Sequence, residues 1–266
     1  MVPAGYERLL LGHAVAVARS DVAASIRRSL VQADGTRCTL HEYAARHPAA
    51  RALEGRGISY AVPLPAPQSD VRVVVRHNRH GGLFASLTGD RFLSPTRAPH
   101  ELDVSLTLIK AGVPTPEVLA YAVYPPGGLL QRSDVCSREI AGTRDLAHVL
   151  FSESARERAE ALAATAELVA TLARAGARHH DLNAKNVLLA SERAYVLDVD
   201  RVTLGTRREA ALNGNLARLI RSLRKWRDRF GARVSEQEIM ELDALARRRP
   251  TPPSPPPQNA AVRSVY

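Results

Sequence analysis

The stretch that decides the fold is Arg178-His179-His180-Asp181-Leu182-Asn183-Ala184-Lys185-Asn186-Val187-Leu188-Leu189, followed by Tyr195-Val196-Leu197-Asp198. Its two apolar runs, 187–189 and 195–197, predict two short strands joined by a turn at 190–193. That hairpin returns the chain, so we expect Asp198 to emerge beside Asn186. Both residues offer oxygen donors, which suit Mg²⁺.

The order of polar residues in this stretch is that of a kinase-type phosphoryl-transfer site. In such a site one carboxylate, here Asp181, takes up the proton of the acceptor hydroxyl. An Asn and a second carboxylate, here Asn186 and Asp198, hold the metal ions. A lone H-x-D is common, and an Asp at a strand end can serve only to cap a turn. The complete pattern favours the catalytic interpretation.

Composition sets broad limits on the class of protein. Of the 266 residues 45% are apolar, enough for a core, and the two cysteines, Cys38 and Cys136, are far apart. That argues against a disulfide framework and fits a reducing compartment. We find neither a secretory signal pattern nor an apolar run of the roughly 20 residues that a spanning helix needs. The expectation is a chain that is soluble or peripheral to a membrane.

The chain is strongly basic, with a net charge of +10 and a pI of about 10.3. This balance favours phosphate-rich partners: nucleotides, nucleic acid or an anionic membrane surface. Residues 207–229 predict a basic amphipathic helix. Its cations either form a solvated face or contact an anionic membrane surface. No nucleic-acid partner is expected, because no aromatic platform or recognised motif accompanies the charge.

A glycine turn and a strand ending in a cation lie upstream of the Asp181 stretch. Gly55 and Gly57 precede one predicted strand, and the next, over 71–76, ends in Arg76. Kinase-like folds cover and grip nucleotide phosphates in this way. The strand-end cation is usually Lys, but Arg still offers bidentate phosphate contacts. Arg79 is the alternative cation.

A helix is predicted over 99–111, with Leu102, Leu106 and Ile109 on one face and Glu101 near its start. In kinase-like folds a helix Glu orients the strand cation, so Glu101 and Arg76 form the candidate pair. The alternative is a Glu favoured at the helix start by the dipole alone.

The remaining elements complete a two-lobed plan. Residues 145–176, with a capping-box pattern at Ser154 and Glu157, and 236–249 predict helices. We predict an α+β, protein-kinase-like fold. Its small β-rich N-lobe, with an N-terminal extension, spans 1–138, and a reduced helical C-lobe spans 139–249 with a hinge at 139–143. Residues 250–266 form a Pro-rich tail that should not pack.

The second lobe is small. Only about fifty residues separate Asp198 from the tail, and no A-P-E motif is present. A small-molecule, sugar or lipid-linked acceptor is therefore favoured over a protein.

Several segments together resemble the lipopolysaccharide-core kinase family, over roughly Arg51 to Arg201. They are Glu54-Gly55-Arg56-Gly57, Val75-Arg76-His77-Asn78-Arg79-His80-Gly81-Gly82-Leu83, Glu101, Gly112-Val113-Pro114-Thr115-Pro116, Gly142-Thr143-Arg144-Asp145-Leu146, 179–186 and Asp198-Val199-Asp200-Arg201.

The resemblance implies a protein-kinase-like fold that uses ATP and Mg²⁺. It also implies phosphorylation of a sugar hydroxyl, of 3-deoxy-D-manno-octulosonic acid (Kdo), on the lipid A inner core. The reaction would take place at the cytoplasmic face of the inner membrane. The site residues that it implies are Asp181 as catalytic base, Asn186 and Asp198 at the metal, Arg76 with Glu101 as the orienting pair, and Gly55 and Gly57 over the phosphates.

The role of Lys185 is open; it could neutralise the transferring phosphate and so take part in catalysis.

Two other functions stay open on the residues alone. Small atypical protein serine kinases also carry H-x-D with Asn five residues on and lack A-P-E. A nucleotide-binding pseudokinase is the non-enzymatic alternative, although the complete Asp181, Asn186 and Asp198 set argues against lost chemistry.

Overall fold

The computed structural model describes residues 2–53, 57–77, 92–93, 97–124, 130–191 and 193–248. The predicted Pro-rich tail, Gly55 and Arg79 lie outside these ranges. Within them the fold is α+β and protein-kinase-like, with one large antiparallel sheet followed by a mainly helical part.

The large sheet has eight strands among the described residues. They are β1 (Tyr6–Leu10), β2 (Val15–Arg19), β3 (Arg51–Leu53), β4 (Ser59–Leu64), β5 (Val71–His77), β6 (Phe92–Leu93), β7 (Val118–Tyr124) and β8 (Leu130–Arg138). Their order is β1-β2-β7-β8-β5-β4-β3, and β6 pairs with β8 beyond the end of β5. The strand that ends near Arg76 therefore lies centrally, between β8 and β4.

The N-terminal part of this sheet was not predicted. Residues 1–48 carry no clear strand pattern, yet β1 and β2 form a hairpin that joins β7 through pairs such as Val17↔Tyr121. The run Val-Ala-Val-Ala in β2 does not alternate with polar residues, so periodicity cannot distinguish it from a buried helix segment. The N-terminal segment thus extends the sheet.

Helices cover both faces of the sheet. On one face α1 (Ala23–Leu30) and α2 (Leu40–Arg46) pack on a core that includes Val73 and Val75 of β5. The other face receives α3 (Ala98–Lys110) through Ala98 and Leu102. Because side chains alternate along a strand, Arg76 faces α3 while Val75 faces the first two helices. The alternation therefore delivers Arg76 to Glu101.

The second part is built on four helices and two small sheets. They comprise β9 (Arg144–Asp145), α4 (Leu146–Val149), α5 (Ala155–Arg174), β10 (Arg178–His179), β11 (Val187–Ala190), β12 (Arg193–Val196), β13 (Val202–Thr203), α6 (Arg208–Phe230) and α7 (Glu236–Arg247). Leu162 and Val169 of α5 and Leu219 of α6 are buried in its core, as their helical spacing predicts. No helix of the described residues combines the length and apolarity that crossing a membrane demands.

Some predicted helix details are wrong. Residues 145–176 form two helices, α4 and α5, separated by the turn at 150–154. Ser154 does cap α5 by accepting from the Glu157 amide, but the Glu157 carboxylate binds Ser152 and Arg144, so the capping box is only half formed.

Two positions near the other helices also differ from expectation. A helix over 21–32 with Asp21 as its cap is what the sequence suggests, but Asp21 does not cap α1, and its carboxylate accepts from Arg19 at 2.6 and 2.7 Å. On α3 the apolar face runs through Leu102 and Leu108, while Ile109 is 40% exposed.

Candidate active site

The predicted hairpin is confirmed and brings two predicted site residues together. Strands β11 and β12 pair antiparallel, with Val187 opposite Val196. One step further the Leu197 amide donates to the carbonyl oxygen of Asn186 at 2.9 Å. Asp198 follows immediately, so the chain passes Asn186 just before it reaches Asp198.

Asp198 sits in an uncommon backbone conformation. Its φ of 53° and ψ of 47° are left-handed, which costs energy for a residue with a Cβ. A 3-10 turn, Val199–Arg201, follows, and the Arg201 amide donates to the Asp198 carbonyl at 3.1 Å. Such strain persists where the surroundings hold it and collects at functional sites.

Asn186 and Asp198 fit a magnesium ion by donor type. Asn186 donates from Nδ2 to the carbonyl oxygen of Asp181 at 2.9 Å, which leaves its amide oxygen available. The described residues hold no cluster of three or more His, Cys, Asp or Glu side chains suited to a metal. A pair of oxygen donors is what Mg²⁺ uses in nucleotide sites, because phosphates and waters complete its shell.

His179 is fully buried and joins the two halves of the site. Its Nδ1 accepts from the Asp181 amide at 3.1 Å, so Nε2 carries the proton and donates to the Leu197 carbonyl at 2.8 Å. Burial lowers the pKa of His179 below its ordinary value, in keeping with a neutral ring. This histidine therefore couples the loop at Asp181 to the residue before Asp198.

Asp181 is paired with Arg218, a residue of α6. The Arg218 Nη2 donates to Asp181 Oδ1 at 2.7 Å, and both side chains are partly exposed. The sequence predicted that the cations of this helix form a solvated face or contact a membrane surface; Arg218 instead reaches Asp181. A charge-assisted bond of this kind is short and strong, and it holds the carboxylate in place.

The same helix supports the loop at 177–185 on either side of that pair. One turn before Arg218, the buried Asn215 accepts from the His179 amide at 2.9 Å and donates to the Ala177 carbonyl at 3.0 Å. One turn after it, Ser222 accepts from the Ala184 amide at 3.1 Å.

Residues 215, 218 and 222 share one side of the helix by their spacing. Helix α6 thus holds the loop at 177–185 in place along one side.

Lys185 lies beside the C-terminal part of α6. Its Nζ is 5.7 Å from the centre of the Trp226 ring, in cation–π range. The side chain is exposed, and its backbone amide is held by Asn183 Oδ1 at 3.0 Å. The structure therefore places Arg218, rather than Lys185, in contact with Asp181.

Arg76 and Glu101 form the predicted ion pair. Arg76 donates to Oε1 of Glu101, which is only 4% exposed, and Oε2 of Glu101 is buried without a hydrogen-bond partner among the described residues. Burial acts to lower the pKa of Arg76, but attraction to Glu101 and then to Asp198 raises it above its ordinary value. Arg76 is therefore a fixed cation close to the carboxylate of Asp198.

A second ion pair ties α3 to the site. Arg97, one turn before Glu101, donates to Asp200 at 3.2 Å. Helix α3 thus reaches β5 through Glu101 and the turn after Asp198 through Arg97. Such a pair of contacts fixes the position of the helix relative to both.

The other predicted nucleotide contacts are only partly described. Gly57 lies in a bend just before β4, while Gly55 is outside the described residues. The hinge expected at 139–143 lies between β8 and β9, and Glu139 there pairs with Arg51 and, at 2.6 Å, with Arg72.

Sequence comparison places these features in a family. The sequence model of the Lipopolysaccharide kinase (Kdo/WaaP) family matches residues 44–244. A 3-deoxy-D-manno-octulosonic acid kinase of Vibrio parahaemolyticus serotype O3:K6 (strain RIMD 2210633) is 31% identical over 195 residues, 68% of this chain and 79% of its own. One of Stenotrophomonas maltophilia (strain R551-3) is 33% identical over 193 residues, 71% and 74% of the two chains.

Among solved structures, WaaP in complex with acyl carrier protein is similar at 21% identity, with 75% of this chain and 79% of that one covered and a TM-score of 0.47. The sequence matches carry the assignment, since the family match alone spans more than half of the 266 residues. The chain belongs to the lipopolysaccharide kinase (Kdo/WaaP) family.

Proposed function

We propose that this protein is an ATP-dependent kinase that phosphorylates a hydroxyl group of Kdo on the lipid A inner core. The observation that carries the proposal is the convergence of the Asp181 loop with the Asn186–Asp198 hairpin beside the Arg76–Glu101 pair. The relatives named above are Kdo kinases, which supports Kdo as the acceptor sugar.

The transfer needs one base and one leaving group. The acceptor hydroxyl oxygen attacks the γ-phosphorus of ATP, the bond from that phosphorus to the β,γ-bridging oxygen breaks, and ADP leaves. The hydroxyl proton passes to the Asp181 carboxylate. Arg218 positions that carboxylate through its hydrogen bond to Oδ1. This positioning is the main contribution that a protein makes to phosphoryl transfer.

The nucleotide would lie between an N-lobe of residues 1–138 and a C-lobe of residues 139–249. Arg76, oriented by Glu101, would contact its phosphates, and Gly55 and Gly57 would cover them. The backbone at 139–143 would hydrogen-bond the adenine. Since Arg76 keeps its charge, its grip on the phosphates should not weaken at any physiological pH.

Asn186 and Asp198 would hold the magnesium ion. The bound ion would neutralise charge on the nucleotide phosphates. The left-handed turn at Asp198 and the Asn186 bond to Asp181 keep the two donors in place.

Lys185 remains a candidate for the transferring phosphate. Its stem would have to leave the Trp226 ring by a change of rotamer, and the net worth of an exposed cation–π contact is only about 0.5–1 kcal/mol. Arg218 is the cation already at the base.

The proposed acceptor is part of a lipid, so the active site has to approach the surface of a bilayer. We place the protein in the cytoplasm, peripheral on the cytoplasmic face of the inner membrane, with the basic helix α6 toward anionic lipid. The net charge of +10 supports this location.

Phosphate transfer to defined acceptors tests the proposal. Purified protein is incubated with γ-labelled ATP and Mg²⁺, and either a deacylated Kdo-containing inner-core acceptor or a serine-rich protein. We expect label on the Kdo acceptor and none on the protein. Label on protein serine alone would favour an atypical protein kinase, and nucleotide binding without turnover on either would favour a pseudokinase.

A further inference from the structure

Three aromatic rings form an exposed cluster next to the catalytic loop. Trp226 packs edge-on against Phe151, with ring centres 6.0 Å apart, and tilted against Phe230 at 4.7 Å. Phe151 is 41% and Phe230 53% exposed. Aromatic residues make up only 5% of the chain and Trp226 is its one tryptophan, so a cluster here is unlike the rest of the surface. Contiguous exposed apolar groups mark interaction sites.

Cations without partners run along the same helix. Arg221, Lys225 and Arg229 are exposed, and among the described residues no carboxylate pairs with them. At 100° per residue they lie within about 60° of Arg218 around the helix, on the flank that faces the catalytic loop. Lys185, over the Trp226 ring, adds a fourth cation.

The opposite flank of α6 is different. Arg224 and Arg227 both pair with Glu236 at the start of α7, the latter at 2.6 Å. Charge on that flank is neutralised within the protein, whereas the flank beside the active site is left to bind an external anion.

We propose that this aromatic-basic surface, formed by Phe151, Arg221, Lys225, Trp226, Arg229 and Phe230, docks the protein on an anionic lipid bilayer. The inference rests on the proposed function, since the acceptor lies in a bilayer. Aromatic rings bordered on one side by cations suit the boundary between headgroups and acyl chains, where rings bury and cations meet lipid phosphates. Because Lys185 is four residues from Asp181 and α6 carries Arg218, docking here brings the catalytic base to the membrane surface.

The ring geometry favours lipid over nucleic acid. Binding of single strands relies on open ring faces on which successive bases stack. Here the rings pack against one another and Trp226 is also covered by Lys185. Entry of a compact ring cluster into a bilayer needs no free faces.

The single tryptophan provides the test. We would titrate the full-length protein, without nucleotide or acceptor, with phosphatidylcholine vesicles and with vesicles that also contain phosphatidylglycerol. Docking predicts a blue shift of Trp226 emission and quenching by brominated acyl chains, with the anionic vesicles only. Co-sedimentation with the vesicles gives the affinity.

Two variants separate the contribution of the cations to vesicle binding from that of the aromatic rings, and each has a matched control. Arg221→Gln/Lys225→Gln/Arg229→Gln should weaken binding at least about tenfold, and Phe151→Ser/Phe230→Ser should weaken it and abolish the blue shift. The controls remove as much charge or apolar surface elsewhere: Arg8→Gln/Arg27→Gln/Arg37→Gln and Ile109→Ser/Met240→Ser. Both should bind within about twofold of the wild type.

Three results would overturn the inference. They are equal binding by variants and controls, sedimentation without any change in Trp226 emission, or an affinity for single-stranded DNA that equals that for anionic vesicles. Because the assay contains neither ATP nor acceptor, its failure leaves the proposed kinase activity standing. Conversely, vesicle binding without turnover of a soluble Kdo acceptor would count against the activity alone.

Discussion

Arg218 donates to Asp181 across 2.7 Å, and so the predicted catalytic base is held by a side chain 37 residues further along the chain. Exchange of Arg218 for Gln removes the fixed charge and the charge-assisted bond that positions the carboxylate. We expect kcat to fall about 100-fold, the size of effect that a misplacement of about 1 Å can cause. Arg218→Lys should recover part of the loss.

The matched control for Arg218 is Arg224→Gln, on the same helix and with the same change of charge, where the partner is Glu236. Its kcat should stay within about twofold of the wild type, as for surface substitutions away from a site. Equal rates in Arg218→Gln and Arg224→Gln would show that the Arg218 pair does not serve the reaction.

The Arg76–Glu101 pair makes a prediction about stability. Arg76→Ala leaves the Glu101 carboxylate buried without its cation, which should cost about 3 kcal/mol of unfolding free energy, the low end for a broken buried pair. Adding Glu101→Ala removes that stranded charge, so the double variant should be more stable than the sum of the single losses predicts. Urea unfolding measures both. Additive losses would mean that the two side chains are not coupled in solution.

His179 predicts a dependence of stability on pH. Burial lowers its pKa, so below about pH 6.5 the unfolded chain binds a proton that the native protein does not. The unfolding free energy should therefore fall as the pH drops from 6.5 toward the lowered native pKa, by up to about 1.4 kcal/mol per unit.

We would follow thermal unfolding of the wild type and His179→Gln between pH 7 and pH 5. The wild type should lose unfolding free energy on acidification, whereas His179→Gln has no imidazole at this position to take up the proton. The difference in stability between the two proteins should therefore shrink. His148→Gln, which replaces an exposed histidine, should run parallel to the wild type. If the difference in stability between the wild type and His179→Gln stays constant from pH 7 to pH 5, His179 is not a buried neutral ring.

The two hydrogen bonds of Asn215 to the loop at 177–185 predict a loss of stability when they are removed. Asn215→Ala leaves the His179 amide and the Ala177 carbonyl buried without their partners, which should cost about 2–3 kcal/mol. Asn213→Ala, two residues away on the exposed side, should change stability by less than about 0.5 kcal/mol. Chemical denaturation of the two variants makes the comparison. Similar losses in both would remove Asn215 from the support of the loop.

What could be predicted from the sequence was local. The hairpin and the order Asp181, Asn186, Asp198 depend on short spacings, and the hairpin is where we expected it. The Arg76–Glu101 pair spans 25 residues and was expected from the arrangement of kinase-like folds; the two side chains do meet. The family match agrees with the resemblance found in these segments.

What could not be predicted depends on packing between distant segments. Arg218 falls on the polar side of α6 by periodicity, and only the approach of the loop at 177–185 makes it part of the site. Asn215 offered a signal, since a polar side chain between apolar residues of an amphipathic helix needs a buried partner. The roles predicted for the site residues stay predictions: Asp181 and Lys185 in catalysis, Asn186 and Asp198 at the metal, and Gly55, Gly57, Arg76 and Glu101 at the nucleotide.

The most direct test of the account is phosphate transfer by Asp181→Asn. With ATP, Mg²⁺ and a Kdo-containing acceptor, we expect wild-type turnover and a loss of about 10²–10⁴ in kcat in the variant, with unchanged nucleotide affinity, since Asn cannot take up the proton. A variant that phosphorylates Kdo within tenfold of the wild-type rate would contradict the assignment of Asp181 as the base.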